Sequence, residues 1–197
     1  MYIFGASGHA RTIIDIIDSF ETIHGIFDDN PAIKKVLGYP VLGKIPSDFE
    51  LDQDFFIAIG DNRIRKRIAG DLRGKVEFAA IVHPSAIVSK RCQIEKGSVI
   101  MEGAIVKVNS NIGKQVIINT GASVDHDCTL GDFVHIAPQA TLCGDITIGE
   151  GTLVGANALI LPRIKIGAWC TIGAGSVVSK DVPDGETWVG HGLKANA

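Results

Sequence analysis

The strongest constraint in this sequence is a period of six residues that runs without a break from Val82 to Val178. A branched aliphatic residue stands at each of seventeen successive sixth positions. These positions are Val82, Val88, Ile94, Ile100, Val106, Ile112, Ile118, Val124, Leu130, Ile136, Leu142, Ile148, Val154, Ile160, Ile166, Ile172 and Val178. An α-helix would repeat its apolar residues every 3.6 positions, so this pattern excludes a helical interpretation.

A second position in each hexad, four residues after the aliphatic one, is always small or β-branched. It is occupied by Ala86, Cys92, Ser98, Ala104, Ser110, Val116, Ala122, Cys128, Val134, Ala140, Ile146, Thr152, Ala158, Ile164, Cys170, Ser176 and Val182. One large and one small inward side chain per hexad predict short strands and tight corners in a triangular solenoid. We expect the glycines between them to take positive φ at the corners, at Gly113, Gly131, Gly149, Gly167 and Gly173. Stacked coils of three hexads pair as parallel strands about 4.8 Å apart, which predicts a prism roughly 27 Å long.

The hexads begin so abruptly that the chain is best read as two domains, residues 1–80 and 81–197. Hydrophobic residues make up 46% of the sequence and charged residues 21%, which is ordinary for a globular protein with two cores. The net charge of −3 argues against a nucleic-acid partner. No apolar run is long enough to span a membrane, and the chain opens on a strand-like segment without a basic leader, so we expect a cytoplasmic protein.

Four cysteines, at positions 92, 128, 143 and 170, lack the C-x-x-C spacing of metal and redox sites. Three of them, Cys92, Cys128 and Cys170, fall at the small inward position of a hexad. We therefore expect buried free thiols, with no disulfide and no metal.

The first eighty residues predict a small α/β domain with a Rossmann-like βαβ unit. A strand over residues 2–4 leads through a glycine turn into an apolar helix, and further strands are predicted over 24–27, 55–59 and 77–82. A second helix carries Ile64, Ile68 and Leu72 on one side. We expect Arg65, Lys66 and Arg67 on its solvated face.

Polar residues follow three of these strands, and ligands of open parallel sheets bind beyond the carboxyl ends of the strands. Ser7, Gly8 and His9 follow the first strand, where the N–H groups of a helix can hold a phosphate or pyrophosphate. The Gly-x-x-Gly spacing is not the dinucleotide fingerprint, and a plain tight turn is the alternative. The pair Asp28 and Asp29 either accepts hydrogen bonds from a sugar or base or forms a solvated turn. Arg63 lies within reach of a phosphate.

Within the prism, His126 is the side chain with the clearest catalytic potential. It stands two residues after Val124, which points it outward at an edge, between two aspartates. A surface histidine, a metal ligand and a general base are the three interpretations. Zinc is disfavoured, because only His135, half a coil further on, accompanies His126 in the central coils. For a base, Asp127 is the preferred orienting carboxylate.

The combination of these motifs resembles the hexapeptide-repeat nucleotide-sugar N-acetyltransferases, of the UDP-N-acetylbacillosamine and perosamine N-acetyltransferase type, with sialic acid O-acetyltransferases as relatives. The resemblance is carried by Gly5-Ala6-Ser7-Gly8-His9, Asp28-Asp29, Phe55 to Lys66, and Asn119-Thr120 through His126-Asp127 to His135. It implies that the prism is a left-handed parallel β-helix. The chain departs from these proteins near its end, where Val189 to Lys194 replace a common Gly-Val-Pro-Ala-Lys; the resemblance would place Lys194 near the CoA phosphates.

The resemblance also implies the site. His126 would be the base, Asp127 would raise its basicity, and Asn119 would hold the sugar or the base. Acetyl-CoA would contact His135, Gly144, Ala156 and Ala174, several of them through backbone amides. The nucleotide sugar would contact Ser7, Gly8, His9, Asp28, Asp29 and Gly60.

The expected reaction is acetyl transfer from acetyl-CoA to the amine of a nucleotide-linked 4-amino-4,6-dideoxy sugar, without a metal. The partners would then be the nucleotide aminosugar, acetyl-CoA and two further copies of the chain, because an outward-facing His126 needs a second subunit to complete its site. Three alternatives remain open: sugar O-acetylation, a non-catalytic trimer that binds nucleotide sugars, and a carbonic anhydrase of the hexapeptide type.

Overall fold

The computed structural model describes residues 1–46 and 54–194. Contacts divide the chain into two compact units, Met1–Ala80 and Ile81–Ala197. Over the described ranges, no helix is both long and apolar enough to cross a membrane.

The N-terminal unit is a three-stranded parallel sheet with two helices, which confirms the predicted Rossmann-like βαβ arrangement. The strand formed by residues 2–4 lies in the centre of the sheet, between the strands formed by residues 25–27 and 55–57. The elements are β1 (Tyr2–Phe4), α1 (Gly8–Asp18), β2 (Gly25–Phe27), β3 (Lys35–Val36), β4 (Tyr39–Pro40), β5 (Phe55–Ile57) and α2 (Asn62–Asp71). All three sheet strands are almost completely buried, as expected of a parallel sheet covered on both faces.

Two details of this unit differ from the sequence-based prediction. The antiparallel pair β3 and β4 was not predicted, since its strands are only two residues long. The predicted strand over residues 77–82 is wrong: Phe78 makes a single bridge to Phe55, and Ile81 and Val82 already belong to the prism.

The inward face of α2 also differs from the predicted one. Ile68 and Leu72 are buried, whereas Ile64 is 44% exposed. Arg65 takes the third inward position and is 1% exposed, so its predicted place on the solvated face is wrong. The spacing explains this, because residues 65, 68 and 72 share one side of a helix.

The C-terminal unit is a left-handed parallel β-helix of about 6 turns, as the resemblance implied. Its first face contains β7 (Ile87–Val88), β10 (Ile105–Val106), β13 (Ser123–Val124), β16 (Thr141–Leu142), β19 (Leu159–Ile160) and β22 (Val177–Val178). The second contains β8 (Gln93–Ile94), β11 (Asn111–Ile112), β14 (Thr129–Leu130), β17 (Thr147–Ile148) and β20 (Lys165–Ile166). The third contains β6 (Ile81–Val82), β9 (Val99–Ile100), β12 (Ile117–Ile118), β15 (His135–Ile136), β18 (Leu153–Val154), β21 (Thr171–Ile172), β23 (Thr187–Val189) and β24 (Gly192–Leu193). From β6 to β22 the stacked strands pair in parallel with a register shift of eighteen residues, for example Val106 with Val124. At the end of the prism β23 pairs with β21 at a shift of sixteen, and β24 pairs antiparallel with β23.

The core of the prism consists of the residues at the two inward positions of each hexad. From Ile100 onward the aliphatic position is buried in every hexad. Only the start is open: Val82 is 41% exposed, and Val88 and Ile94 are half-buried, because no complete coil precedes them. At the other end Trp188 is fully buried, and its indole N–H donates to the carbonyl oxygens of Val177 and Gly190.

The corners turn through a residue in the left-handed conformation, three positions after each aliphatic residue. Between positions 97 and 175 this holds for every hexad, and nine of these residues are not glycine: Asn109, Gln115, Asp127, Phe133, Gln139, Asp145, Asn157, Arg163 and Trp169. The glycines predicted to take positive φ, at 113, 131, 149, 167 and 173, do not. That prediction is wrong. For Gly113 the reason is stacking: a Cβ there would lie 2.8 Å from the backbone nitrogen of Asp132 in the next coil.

All four cysteines are free thiols. Cys128 and Cys170 are buried, while Cys92 and Cys143 are partly exposed. Cys92 is less buried than its inward position predicts, since it belongs to the open first coil.

Candidate active site

His126 and Asp127 form a hydrogen-bonded pair at the corner between the first and second faces, just after β13. The imidazole Nδ1 lies 2.7 Å from Asp127 Oδ2. A carboxylate only accepts hydrogen bonds, so Nδ1 carries a proton, and in the neutral form of the ring Nε2 has the lone pair. The His126 side chain is 53% exposed, so the ring faces outward as predicted. The hydrogen bond from His126, and then that from Asn109, lower the pKa of Asp127.

Gly144 lies directly beneath the imidazole, one coil after His126. A Cβ at Gly144 would lie 2.5 Å from both Cε1 and Nε2 of the ring, so the ring occupies the space that a side chain would need. The N–H of Gly144 donates to no acceptor within residues 1–46 and 54–194. Below the pair lies a groove of about 640 Å³, lined by His126, Asp127, Gly144, Asp145, Pro162 and Arg163.

The backbone of His126 is held by the residue before it. Asp125 Oδ1 accepts a hydrogen bond of 2.7 Å from the His126 N–H, and Oδ2 lies 3.3 Å from Lys107 Nζ. The bond from the His126 N–H is the main reason that the pKa of Asp125 is lowered. Burial raises the pKa of the nearby Cys128 thiol to about 11, so Cys128 is protonated at neutral pH and unsuited to be a nucleophile.

A second group of predicted residues lies at another corner, between the third and first faces. Asn119 Nδ2 is 3.2 Å from His135 Nε2, so within this chain Asn119 contacts His135. Ala156 and Ala174 follow β18 and β21 one coil apart, and over the described part of the chain neither backbone N–H has an acceptor. One face, a hexad of roughly 20 Å when extended, separates these residues from His126. A single chain therefore divides the predicted acetyl-CoA contacts between two corners.

In the N-terminal unit, the start of α1 is open. Ser7 is the N-cap residue, but its side chain makes no capping hydrogen bond, and the first turn has no acidic residue. At α2, in contrast, Asp61 accepts a 2.8 Å hydrogen bond from the N–H of Ile64. Ser7 and Gly8 are exposed, so the first turn of α1 is accessible to an anion at its N-terminus.

His9 and Gly60 bring the first turn of α1 next to the end of β5. A Cβ at Gly60 would lie 3.7 Å from the Cβ of His9. Burial, followed by the charge of Arg65, lowers the pKa of His9 to about 4. His9 is therefore neutral at neutral pH.

The two aspartates after β2 differ in their surroundings. Asp28 Oδ2 accepts a 2.8 Å hydrogen bond from the N–H of Ala6, and Oδ1 accepts one of 2.8 Å from Asn30. Asp28 therefore ties the glycine turn to the end of β2. Asp29 is exposed and lines a pocket of about 340 Å³, whose rim includes Lys44 and Arg67.

Arg65 is a residue of this region that the sequence analysis missed. Its Nη1 donates to the carbonyl oxygens of Ile59 at 3.0 Å and Gly60 at 3.1 Å, and Nη2 donates to Asn62 Oδ1 at 2.8 Å. Burial lowers its pKa to about 9, which leaves it charged at neutral pH. Arg65 thus holds the turn after β5 from beneath. The only sequence signal was its spacing from Ile68 and Leu72.

The described residues contain no group of three histidine, cysteine, aspartate or glutamate side chains that could hold a metal ion.

Comparisons with known proteins agree with both units. Residues 1–72 match the PglD N-terminal domain family, and residues 145–180 match the bacterial transferase hexapeptide family. A histidine-to-asparagine mutant of perosamine N-acetyltransferase from Caulobacter crescentus, solved with CoA and GDP-perosamine, is 35% identical with a TM-score of 0.93, covering 99% of this chain and 96% of that one. The chain belongs to the hexapeptide-repeat nucleotide-sugar N-acetyltransferases. The family expected from the motifs is thereby confirmed.

Two other relatives place this N-acetyltransferase chain in context. The acetyltransferase domain of PglB from Neisseria gonorrhoeae, solved in complex with acetyl coenzyme A, is 35% identical with a TM-score of 0.92, covering 99% of this chain and 98% of that one. A protein of Acanthamoeba polyphaga mimivirus, L142, is 35% identical over 98 residues. That match spans 46% of this chain and 20% of the viral protein.

Proposed function

We propose that this protein transfers the acetyl group of acetyl-CoA to the amino group of a nucleotide-linked 4-amino-4,6-dideoxy sugar, with His126 as the general base. The observation that carries the proposal is the 2.7 Å pair of His126 and Asp127, with Nε2 directed over Gly144 at an open corner. It occurs in a chain whose relatives at 35% identity were solved with CoA and GDP-perosamine or with acetyl coenzyme A.

The chemistry follows from the state of the imidazole. The sugar amine attacks the thioester carbonyl carbon, a C–N bond forms, and the C–S bond to CoA breaks. His126 Nε2 accepts the proton that the amine loses, and Asp127 stabilises the resulting imidazolium through Nδ1. The imidazolium then returns the proton to the CoA thiolate. The N–H of Gly144, which has no acceptor among the described residues, lies next to the ring and is suited to stabilise the carbonyl oxygen as it becomes negative.

The active enzyme is a homotrimer in this proposal. Two corners of the prism carry the proposed acetyl-CoA contacts, and one face separates them within a chain. A neighbouring copy would bring its Ala156 and Ala174 to the His126 of the first. Within the described ranges, the N–H groups of Gly144 at one corner and of Ala156 and Ala174 at the other have no acceptor, which supports such a shared site.

Subunit mixing tests the shared site. His126→Ala alone removes the base, and Ala156→Trp alone fills the other corner, so each homotrimer should be inactive. Trimers refolded from an equal mixture contain sites with both intact surfaces and should recover about a quarter of the activity. No recovery, together with a trimer by light scattering, would contradict a site between subunits.

The strand ends of the N-terminal unit would hold the nucleotide sugar. The open N-terminus of α1 at Ser7 and Gly8 is suited to the diphosphate, with His9 kept neutral and Gly60 leaving space beside it. Asp28 would contribute by fixing the glycine turn between β1 and α1. The exposed Asp29 would form hydrogen bonds to the sugar or the base. The cytoplasmic location expected from the sequence stays a prediction.

A substrate panel tests the proposed reaction. The enzyme is incubated with acetyl-CoA and UDP-, dTDP- or GDP-linked 4-amino-4,6-dideoxy sugars, and thiol release is followed together with product mass. We expect release of CoA and an increase of one acetyl group on an aminosugar. Acetylation of a sialic acid nucleotide alone would establish O-acetylation instead. Thermal stabilisation by nucleotide sugars without thiol release would establish a binding protein. Zinc that copurifies with the protein, together with bicarbonate formation, would establish a carbonic anhydrase.

A further inference from the structure

Asn109 lies one coil before Asp127 and occupies the same place in its hexad. Both residues stand three positions after the aliphatic residue, and both are in the left-handed conformation, with φ of 60° and 59°. The strands that precede them, β10 and β13, are paired in parallel. Asn109 therefore projects from the same corner, directly next to Asp127 along the prism.

The amide of Asn109 holds the carboxylate of Asp127 from the side opposite the imidazole. Asn109 Nδ2 donates to Asp127 Oδ1 at 3.2 Å, while Asp127 Oδ2 faces His126 Nδ1 at 2.7 Å. Each oxygen of the carboxylate thus has its own donor. The backbone is fixed as well, since the N–H of Asp127 donates to the carbonyl oxygen of Val108 at 3.1 Å.

We infer that Asn109 is a positioning residue for the His126 and Asp127 pair. Asp127 is 51% exposed, and an exposed carboxylate on a corner otherwise rotates freely about its side-chain bonds. Because Asn109 holds one oxygen, the other stays in position to accept the hydrogen bond from His126 Nδ1, and this hydrogen bond fixes the imidazole tautomer. Asn109 thus acts on the reaction through Asp127 and contacts neither substrate. The inference rests on the proposed function for its consequence in catalysis.

Glycine is the matched substitution at both positions, because it tolerates positive φ and removes only the side chain. Asn109→Gly should lower kcat by about 10-fold and change either KM by less than about twofold, since the base is disordered while the binding surfaces remain. Asn109→Asp keeps the size but places a second carboxylate against Asp127, so its kcat should be lower still.

A double-mutant cycle separates positioning from a general structural effect. In the Asp127→Gly background, Asn109→Gly should cause no further loss of kcat, because the group it acts on is gone. Equal losses in both backgrounds would contradict the inference. An unchanged kcat in Asn109→Gly alone would also contradict it.

A readout without turnover keeps this test independent of the proposed function. Nitrogen chemical shifts of the His126 ring report which nitrogen carries the proton. The wild-type ring should be in the Nδ1–H form, and Asn109→Gly should show a mixture of both tautomers. An unchanged tautomer would overturn the role of Asn109, whereas a wild-type enzyme that acetylates no aminosugar would overturn only the proposed function.

Discussion

Two corners of the prism are built from the same hexad and serve different purposes. At the corner between the second and third faces, the residue after the aliphatic one is glycine in four coils, Gly113, Gly131, Gly149 and Gly167; we call this the glycine corner. At the corner that carries His126, the same position holds Lys107, Asp125, Cys143 and Leu161. The glycine corner brings successive coils so close that a Cβ would contact the backbone of the next coil.

The two corners also differ in the hydrogen bonds of their backbone amides. At the glycine corner, the N–H of Lys114 donates to Asp132 Oδ1 at 2.8 Å, and that of Ala168 donates to Asp184 Oδ1 at 2.8 Å. At the His126 corner, the N–H of Gly144 has no acceptor among the residues that the structure describes. We call the His126 corner the open corner, because the N–H of Gly144 has no acceptor there among the described residues, although the N–H of His126 donates to Asp125. The open corner carries the titratable pair.

Among the glycines of the two corners, a substitution at Gly144 should show the largest effect, and it should fall on activity alone. In Gly144→Ala the new methyl group displaces the imidazole from above the coil, because the ring already fills that space. We expect kcat to fall by about 100-fold. Because the displaced His126 side chain is exposed, the free energy of unfolding should change by less than about 0.5 kcal/mol. Steady-state kinetics and chemical denaturation measure the two quantities.

The control is Gly192→Ala, whose Cβ would meet nothing within 4 Å and which lies in the last strand. It should leave both quantities unchanged. Full activity in Gly144→Ala would mean that the ring works in another position.

The glycine corner should respond in the opposite way. Gly113→Ala forces a Cβ to within 2.8 Å of the backbone of Asp132 and Gly131, so the coils must separate. We expect the free energy of unfolding to fall by about 3 kcal/mol, with kcat per folded enzyme unchanged. Guanidinium denaturation followed by circular dichroism gives this value.

Gly175→Ala distinguishes stacking from backbone conformation. Gly175 has φ of 67° and open space around its Cα, so alanine there should cost only about 1 kcal/mol. Equal losses for Gly113→Ala and Gly175→Ala would show that close stacking does not explain the glycine corner.

The smallest expected effect concerns the carboxylate of the open corner. In the wild-type protein the hydrogen bond from His126 keeps the pKa of Asp127 below its ordinary value. A lowered pKa means that the carboxylate and its partner interact above that pKa and lose the interaction as the pH falls through it. In His126→Ala the pKa of Asp127 should therefore rise toward its ordinary value, as measured by carbon NMR of the carboxyl group. An unchanged pKa would mean that the pair does not form in solution.

The prism could be predicted from the sequence because every coil must pack the same kinds of side chain into its core, so the same residue types recur at a fixed spacing. The aliphatic residues at every sixth position and the small residues four places later fixed the faces and the core. The conformation of the corners could not be predicted in the same way. Positive φ falls on residues as different as Asp127, Phe133 and Trp169, because the coil geometry imposes it regardless of residue type.

The site was predictable only in part. The outward direction of His126 followed from its distance to Val124, and Asp127 was an adjacent candidate. The repeat stacks Asn109 next to Asp127, eighteen positions later, but the hydrogen bond between their side chains depends on side-chain conformations that the spacing does not specify. Arg65 was misplaced for a different reason: a charged residue beside exposed lysine and arginine is usually solvated, and here carbonyl and amide oxygens compensate for its burial.

The most direct test of the account compares His126→Ala with the wild-type enzyme on the aminosugar that the substrate panel identifies. If His126 is the general base, kcat should fall by about 1000-fold, while the dissociation constant of CoA and the subunit number remain unchanged. A His126→Ala enzyme that transfers acetyl at the wild-type rate would contradict the assignment of the reaction to this corner of the prism.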